Sequence, residues 1–126
     1  MFTAKASTVI RAPRDKVWQA LTDPTAIKQY MFGADVTSDW QKGSPIVWKG
    51  EWQGKPFEDK GEVLEARPGE HLAYLHQNHR VSIDLVPEGD GTRLTLAQDG
   101  NPDEKARDHA QKNWAMMLGG LKKVAE

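Results

Sequence analysis

The segment that most constrains this chain is its C-terminal stretch, residues 102–124. Ala106, Ala110, Trp114, Met117, Leu121 and Val124 recur at steps of four or three, so one apolar stripe runs the length of a predicted α-helix. At 1.5 Å per residue that helix is about 35 Å long, enough to lie across a small sheet. Asn101 as cap, Pro102 at the first helical position and Glu104 three residues after the cap form a capping-box start. Asp103 and Glu104 suit the positive end of the helix dipole, and Lys122 and Lys123 the negative end. Gly119 and Gly120 interrupt the pattern, each at a cost of roughly 1 kcal/mol against alanine. Close approach of helix and sheet explains such a pair, and so does a bend.

An apolar stripe of this length needs a partner surface, and the middle of the chain supplies one. Residues 2–11 alternate loosely and end in β-branched residues, which predicts a first strand. Ala12-Pro13 opens a helix carrying Val17, Trp18 and Leu21, with proline at the first helical position. Asp23-Pro24 stops it and starts a second short helix, capped by Asp23, whose inward face is Ile27, Tyr30 and Met31. Gly33 ends that helix. Strands are then predicted over 36–40, 46–52, 55–66, 71–76, around Val81–Ile83–Leu85 and around Leu94–Leu96. Turns fall at Lys42-Gly43, Gln53-Gly54, Pro68-Gly69, Asn78-His79 and Glu88-Gly89-Asp90-Gly91. The strand over 55–66 is polar enough to be edge-like or solvent-facing. The order of strand, two short helices, six strands and long helix is an α+β layout with one sheet face covered by a helix. At 126 residues, one domain spanning 1–126 is expected.

Composition excludes several function classes. The net charge of -1, with both signs mixed along the chain, leaves no basic stripe for nucleic acid or an anionic membrane. With no cysteine, disulfides and thiol catalysis are ruled out. No apolar run approaches the ~20 residues of a membrane span, and no apolar core region follows Lys5 as in a signal peptide. A cytoplasmic protein is expected.

Ala12-Pro13 followed by Val17-Trp18, then Leu21-Thr22-Asp23-Pro24, form a recognisable opening. Lys42-Gly43, Gly61-Glu62-Val63-Leu64 with Pro68, Gly91-Thr92-Arg93-Leu94-Thr95-Leu96, and Asn113-Trp114 with Leu118 and Leu121 complete it. In this order and spacing, over nearly the whole chain, they resemble the START-like (birch-pollen-allergen-like, SRPBCC) superfamily. Within it they resemble the family named after the activator of the ninety-kilodalton heat-shock-protein ATPase. Tyr30 is a departure, since the family commonly has tryptophan there, but it keeps an aromatic ring. The resemblance implies a helix-grip fold: a curved antiparallel sheet of about seven strands wrapped on the long C-terminal helix, with a cavity between them. Members bind lipids, sterols, polyketides or other apolar molecules, and some act as cyclases or hydrolases. The co-chaperone role belongs to larger eukaryotic members with an additional N-terminal module. None is expected within these residues, so the family name is not read as an activity.

Five tryptophans in a chain of this length can fill a core or line a cavity. With the implied cavity, the expected wall is Trp48, Trp52, Tyr74, Trp114, Met117 and Leu121, and dry packing would also account for such residues. By strand parity His76 lies with Leu72 and Tyr74, and Gln98 with Leu94 and Leu96. Both become candidate polar groups for orienting a ligand, with a satisfied or rim position as the plain alternative. Asp84 alternates against Val81, Ile83 and Leu85 and belongs to the solvent face. The histidines His71, His76, His79 and His109 have no metal-ligand spacing. Gly50 to Lys55 is one residue short of a phosphate loop and precedes proline, and no Gly-x-Ser-x-Gly elbow occurs. No cofactor, metal or catalytic residue is therefore assigned. The expected partner is a small apolar ligand bound without catalysis. A chaperone- or stress-linked interaction module and a cyclase- or hydrolase-type enzyme using His76 are the alternatives.

Overall fold

The computed structural model describes residues 2–31, 33–52, 54–76 and 79–126, and of Trp52 the backbone alone. The chain begins with β1 (Phe2–Ile10), α1 (Arg14–Thr22) and α2 (Pro24–Tyr30). Six strands follow: β2 (Asp35–Thr37), β3 (Pro45–Trp52), β4 (Lys55–Arg67), β5 (His71–His76), β6 (His79–Glu88) and β7 (Gly91–Asn101). The long helix α3 (Glu104–Ala125) closes the chain. The strands form one antiparallel curved sheet in the order β1-β7-β6-β5-β4-β3-β2. This is the α+β helix-grip layout.

The period-two pattern of the strands builds the core. Leu72, Ile83 and Leu96 are cross-strand neighbours on β5, β6 and β7, and Leu85 pairs with Leu94 beside them. All five are buried. Full burial of such a side chain contributes about 1.5–3 kcal/mol. Val63 is the only residue of β4 buried to this degree, and a bulge between Val63 and Glu65 bends that strand. The polar sequence of β4 therefore reflects a solvent-facing surface and not an edge, because β4 is paired on both sides. The outermost strands are β1 and β2.

At the β1 edge, α3 covers what would otherwise be an open ladder. Gln111 accepts from the Lys5 N–H at 3.2 Å, Lys122 Nζ donates to the Val9 carbonyl at 2.6 Å, and Glu126 accepts from the Arg11 N–H at 2.9 Å. These backbone groups sit at odd positions, which all face away from β7. The contacts with Lys122 and with the Arg11 N–H hold the Glu126 carboxyl below its usual range. Occupying an exposed edge in this way blocks strand addition by another chain.

Three details depart from the sequence-based expectations. The cap of α3 is Asp103, whose carboxylate accepts from the Ala106 N–H at 2.7 Å. Asn101 instead ends β7, where its side chain donates to the carbonyls of Phe2 and Gln98. Both residue types cap well, and the extra length of β7 decides between them. Second, β2 stops at Thr37, three residues before the predicted end. Ser38 accepts from the Trp40 N–H at 3.0 Å, and Trp40 takes a left-handed φ of 55°, so the chain turns. Third, Pro13 is the cap of α1 and not its first helical residue. The Gln53-Gly54 and Asn78-His79 turns include residues outside the described set.

The glycine pair leaves α3 continuous. A Cβ at Gly120 would lie 3.0 Å from the Tyr30 Cβ, so the close approach is to α2 and not to the sheet. A Cβ at Gly119 would meet nothing within 4 Å. The two alanine substitutions are thus expected to have opposite signs in urea unfolding. Gly119→Ala should stabilise by about 0.5–1 kcal/mol through helix propensity, and Gly120→Ala should destabilise by about 1 kcal/mol or more as α2 is pushed away. Stabilisation by both would contradict this packing of α2 on α3.

Candidate functional site

The apolar stripe of α3 is not covered evenly. Met117, Leu118, Leu121 and Ala125 in its C-terminal half are buried, with α1 and α2 packed on that end. Ala106, Ala110 and Trp114 in its N-terminal half are only partly covered. Between that half and the sheet lies a cavity of about 430 Å³. Its apolar wall comprises Trp48 on β3, Met31 after α2, the Tyr74 ring on β5, Pro102 before α3, and Ala106, Ala110 and Trp114 on α3. Its polar groups are His76, His79, Gln98, Asn101, His109 and Asn113. None of the described lining residues is Asp, Glu, Lys or Arg.

Local bonding fixes several of these groups. The Trp114 indole N–H donates to the Gln98 side-chain carbonyl, tying helix to sheet. The Gln98 main-chain carbonyl accepts from the Asn101 amide at 3.0 Å. The His76 ring lies 4.4 Å, centroid to centroid, from Trp48 at a tilt of 40°, and Trp48 in turn lies 5.8 Å from the Tyr74 ring. His76 Nε2 is 3.4 Å from an Asp59 carboxylate oxygen. His79 Nδ1 is 2.7 Å from the Asp99 carbonyl. A carbonyl can only accept, so Nδ1 carries the proton and Nε2 is an acceptor in the neutral ring.

Two tyrosines line a small chamber in the core beside this cavity. Tyr30 donates its hydroxyl to the Ala20 carbonyl at 2.8 Å, and burial, followed by the proximity of Tyr74 and Asp23, pushes its phenol far above the ordinary range. Burial alone does the same to Tyr74. The Tyr74 hydroxyl has no hydrogen-bond partner among the described residues. Among those residues no sealed-off side-chain N or O lacks a partner. The Tyr74 oxygen is therefore not sealed off from a water-sized group. Tyr74, Trp48 and Met31 form the wall that the large cavity shares with a chamber of about 20 Å³ in the core.

Of the eight residues singled out from the sequence, Trp48, Tyr74, His76, Gln98 and Trp114 line this cavity together. Leu121 does not: it is fully buried under the other end of the helix. Met117 borders only the small chamber. The physical reason is that α1 and α2 close the sheet over the C-terminal half of α3, so the stripe there packs dry. The side chain of Trp52 lies outside the described residues. His79, Asn101, His109, Asn113 and Met31 were not anticipated as lining groups. His109 and Asn113 are one helical turn apart, beside the stripe, and that i, i+4 spacing was the available signal.

Among the described residues no group of three or more His, Asp or Glu side chains is placed to hold a metal ion. No helix among them is long and apolar enough to cross a membrane.

A curved sheet gripping a long helix over a partly apolar cavity defines the START-like helix-grip class. The chain belongs to the family described as activator of Hsp90 ATPase homolog 1-like protein, whose model matches residues 11–126. A protein from Cytophaga hutchinsonii, whose structure was determined in solution, is 45% identical, with a TM-score of 0.86 over 98% of this chain and 92% of that one. The Aha1 dimer from Colwellia psychrerythraea shares the fold at 20% identity, with a TM-score of 0.81 over 100% of this chain and 97% of that one. An AHSA1-like protein from Aeromonas hydrophila does so at 17% identity and a TM-score of 0.84, over 98% and 91% of the two chains. No curated protein matches the chain.

Proposed function

We propose that this protein binds a small, largely apolar molecule between the sheet and the N-terminal half of α3, and does so without transforming it. The observation that carries this reading is the cavity itself. Its volume of about 430 Å³ falls within the range of roughly 300–1,000 Å³ usual for small-molecule sites. An apolar wall beside polar groups that include no Asp, Glu, Lys or Arg suits an uncharged ligand, since a buried charge would need a partner.

The reading is tested by native mass spectrometry of the purified protein, with organic extraction of whatever travels with it. A discrete small-molecule adduct is expected, and Ala110→Trp, which places a ring in the cavity, should abolish it. If no adduct is found and Ala110→Trp leaves binding of added apolar compounds unchanged, the reading fails.

A chaperone-linked role has the family description in its favour. It calls for an accessible apolar patch. Among the described residues the large exposed apolar ones are Phe2, Phe57, Leu75, Val86 and Met116, each on a different element. Leu75 is flanked across the sheet by Glu62 and Arg80, and Val86 by Arg93. Binding to a heat-shock ATPase that survives Ala110→Trp would support that role over the first. A catalytic reading rests on His76 beside Asp59 at the cavity, an arrangement suited to a general base. Turnover of a bound compound that disappears in His76→Gln would be its signature.

A further inference from the structure

We infer that the Tyr74 hydroxyl selects the ligand: the molecule that fills the cavity is an uncharged aromatic compound whose hydroxyl or carbonyl oxygen enters first and hydrogen-bonds to Tyr74. This rests on the ligand-binding reading above and adds to it a ligand class and a specificity-determining residue. Three observations converge. Tyr74 is 7% exposed, yet its hydroxyl has no partner among the described residues and is not sealed off. A phenol so placed needs a hydrogen-bonding group from water or from a ligand. Second, the indoles of Trp48 and Trp114 border the cavity from the sheet and from the helix. The Trp114 N–H is already committed to Gln98, so that residue offers its ring and not a donor. Flat aromatic surfaces on two sides favour a flat aromatic body. Third, no Asp, Glu, Lys or Arg is among the described lining residues, so an ionised end group would find no permanently charged side chain on these walls. Because a tyrosine hydroxyl both donates and accepts, a ligand hydroxyl and a ligand carbonyl satisfy it equally.

The test uses two probes of nearly the same shape, 2-naphthol and 2-methylnaphthalene, titrated into the intact protein and into Tyr74→Phe with tryptophan fluorescence as the readout. The quantity compared is the ratio of the two dissociation constants. General partitioning of each probe into an apolar site is common to both proteins and cancels. Tyr74→Phe removes one oxygen and breaks no bond within the described protein, so the fold is retained. The preference for 2-naphthol is expected to fall about tenfold in Tyr74→Phe, the loss of one buried hydrogen bond. A ratio that stays within about twofold would overturn the assignment of Tyr74 while leaving the cavity as a ligand site. If neither probe binds the unmodified protein, the ligand-binding reading itself fails and this inference with it.

Discussion

Titrated with alkali, this protein should unfold before either of its tyrosines ionises. It contains two, Tyr30 and Tyr74, and both are buried. Burial penalises the phenolate, and for Tyr30 the proximity of Tyr74 and Asp23 adds to the penalty. In the unfolded chain each phenol titrates near its ordinary value of about 10. Below that pH both states hold both protons, and the tyrosines give no pH dependence. Above it the unfolded state releases two protons that the native state retains, so stability falls as pH rises. Each proton contributes about 1.4 kcal/mol per pH unit, and the pair about 2.7 kcal/mol. By about pH 12 the loss is roughly 5 kcal/mol, comparable with the whole stability of a marginal domain. Tyrosinate absorbance and far-ultraviolet circular dichroism, followed together, should therefore change in one coincident transition. Tyrosinate appearing near pH 10 with native dichroism intact would contradict the burial of these hydroxyls. Tyr74→Phe should halve the slope.

The burial of those two rings shows what a sequence of this kind reveals and what it withholds. Strand parity assigned Leu72, Tyr74 and His76 to one face because side chains alternate strictly along a strand, and in the structure the rings of Tyr74 and His76 both lie against Trp48. The stripe on α3 was equally legible, since helical period is a local property. Where along that stripe dry packing gives way to a cavity is not local. It depends on α1 and α2, which come from the other end of the chain and close over Met117, Leu118 and Leu121 but leave Trp114 half-covered. For the same reason Leu121 and Trp114 look alike in sequence and differ in place. The cap of α3 was misplaced by two residues because Asn101 and Asp103 are both good caps, and only the pairing of Asn101 opposite Phe2 in β1 distinguishes them. That the Tyr74 hydroxyl lacks a hydrogen-bond partner among the described residues had no sequence signal at all.

Gly61 joins strand geometry to the cavity wall most directly, and Gly61→Ala is expected to be among the most damaging single-methyl changes in this chain. Glycine in mid-strand weakens pairing and usually marks a bulge or a close approach. Here it marks the approach of a ring. Gly61 pairs with Ile46 on one side and His76 on the other, and a Cβ on it would lie 2.9 Å from the six-membered ring of Trp48 and 1.9 Å from the Leu75 carbonyl oxygen. The ring could swing aside at the cost of a good rotamer. The carbonyl belongs to the backbone of β5 and cannot move without disturbing the β4–β5 pairing. Overpacking of a core usually costs about 1–3 kcal/mol, and a backbone clash this short puts the expected loss at about 3 kcal/mol or more in urea unfolding. Because Trp48 also supports His76 and Tyr74, the same methyl should displace the aromatic wall and weaken binding of any cavity ligand in the fraction that stays folded. A stability change under about 1 kcal/mol with unaltered tryptophan emission would show that β4 and β5 do not approach as described. The contrast with Gly119→Ala, the same added methyl in open space on α3, separates the clash from any general effect of replacing glycine.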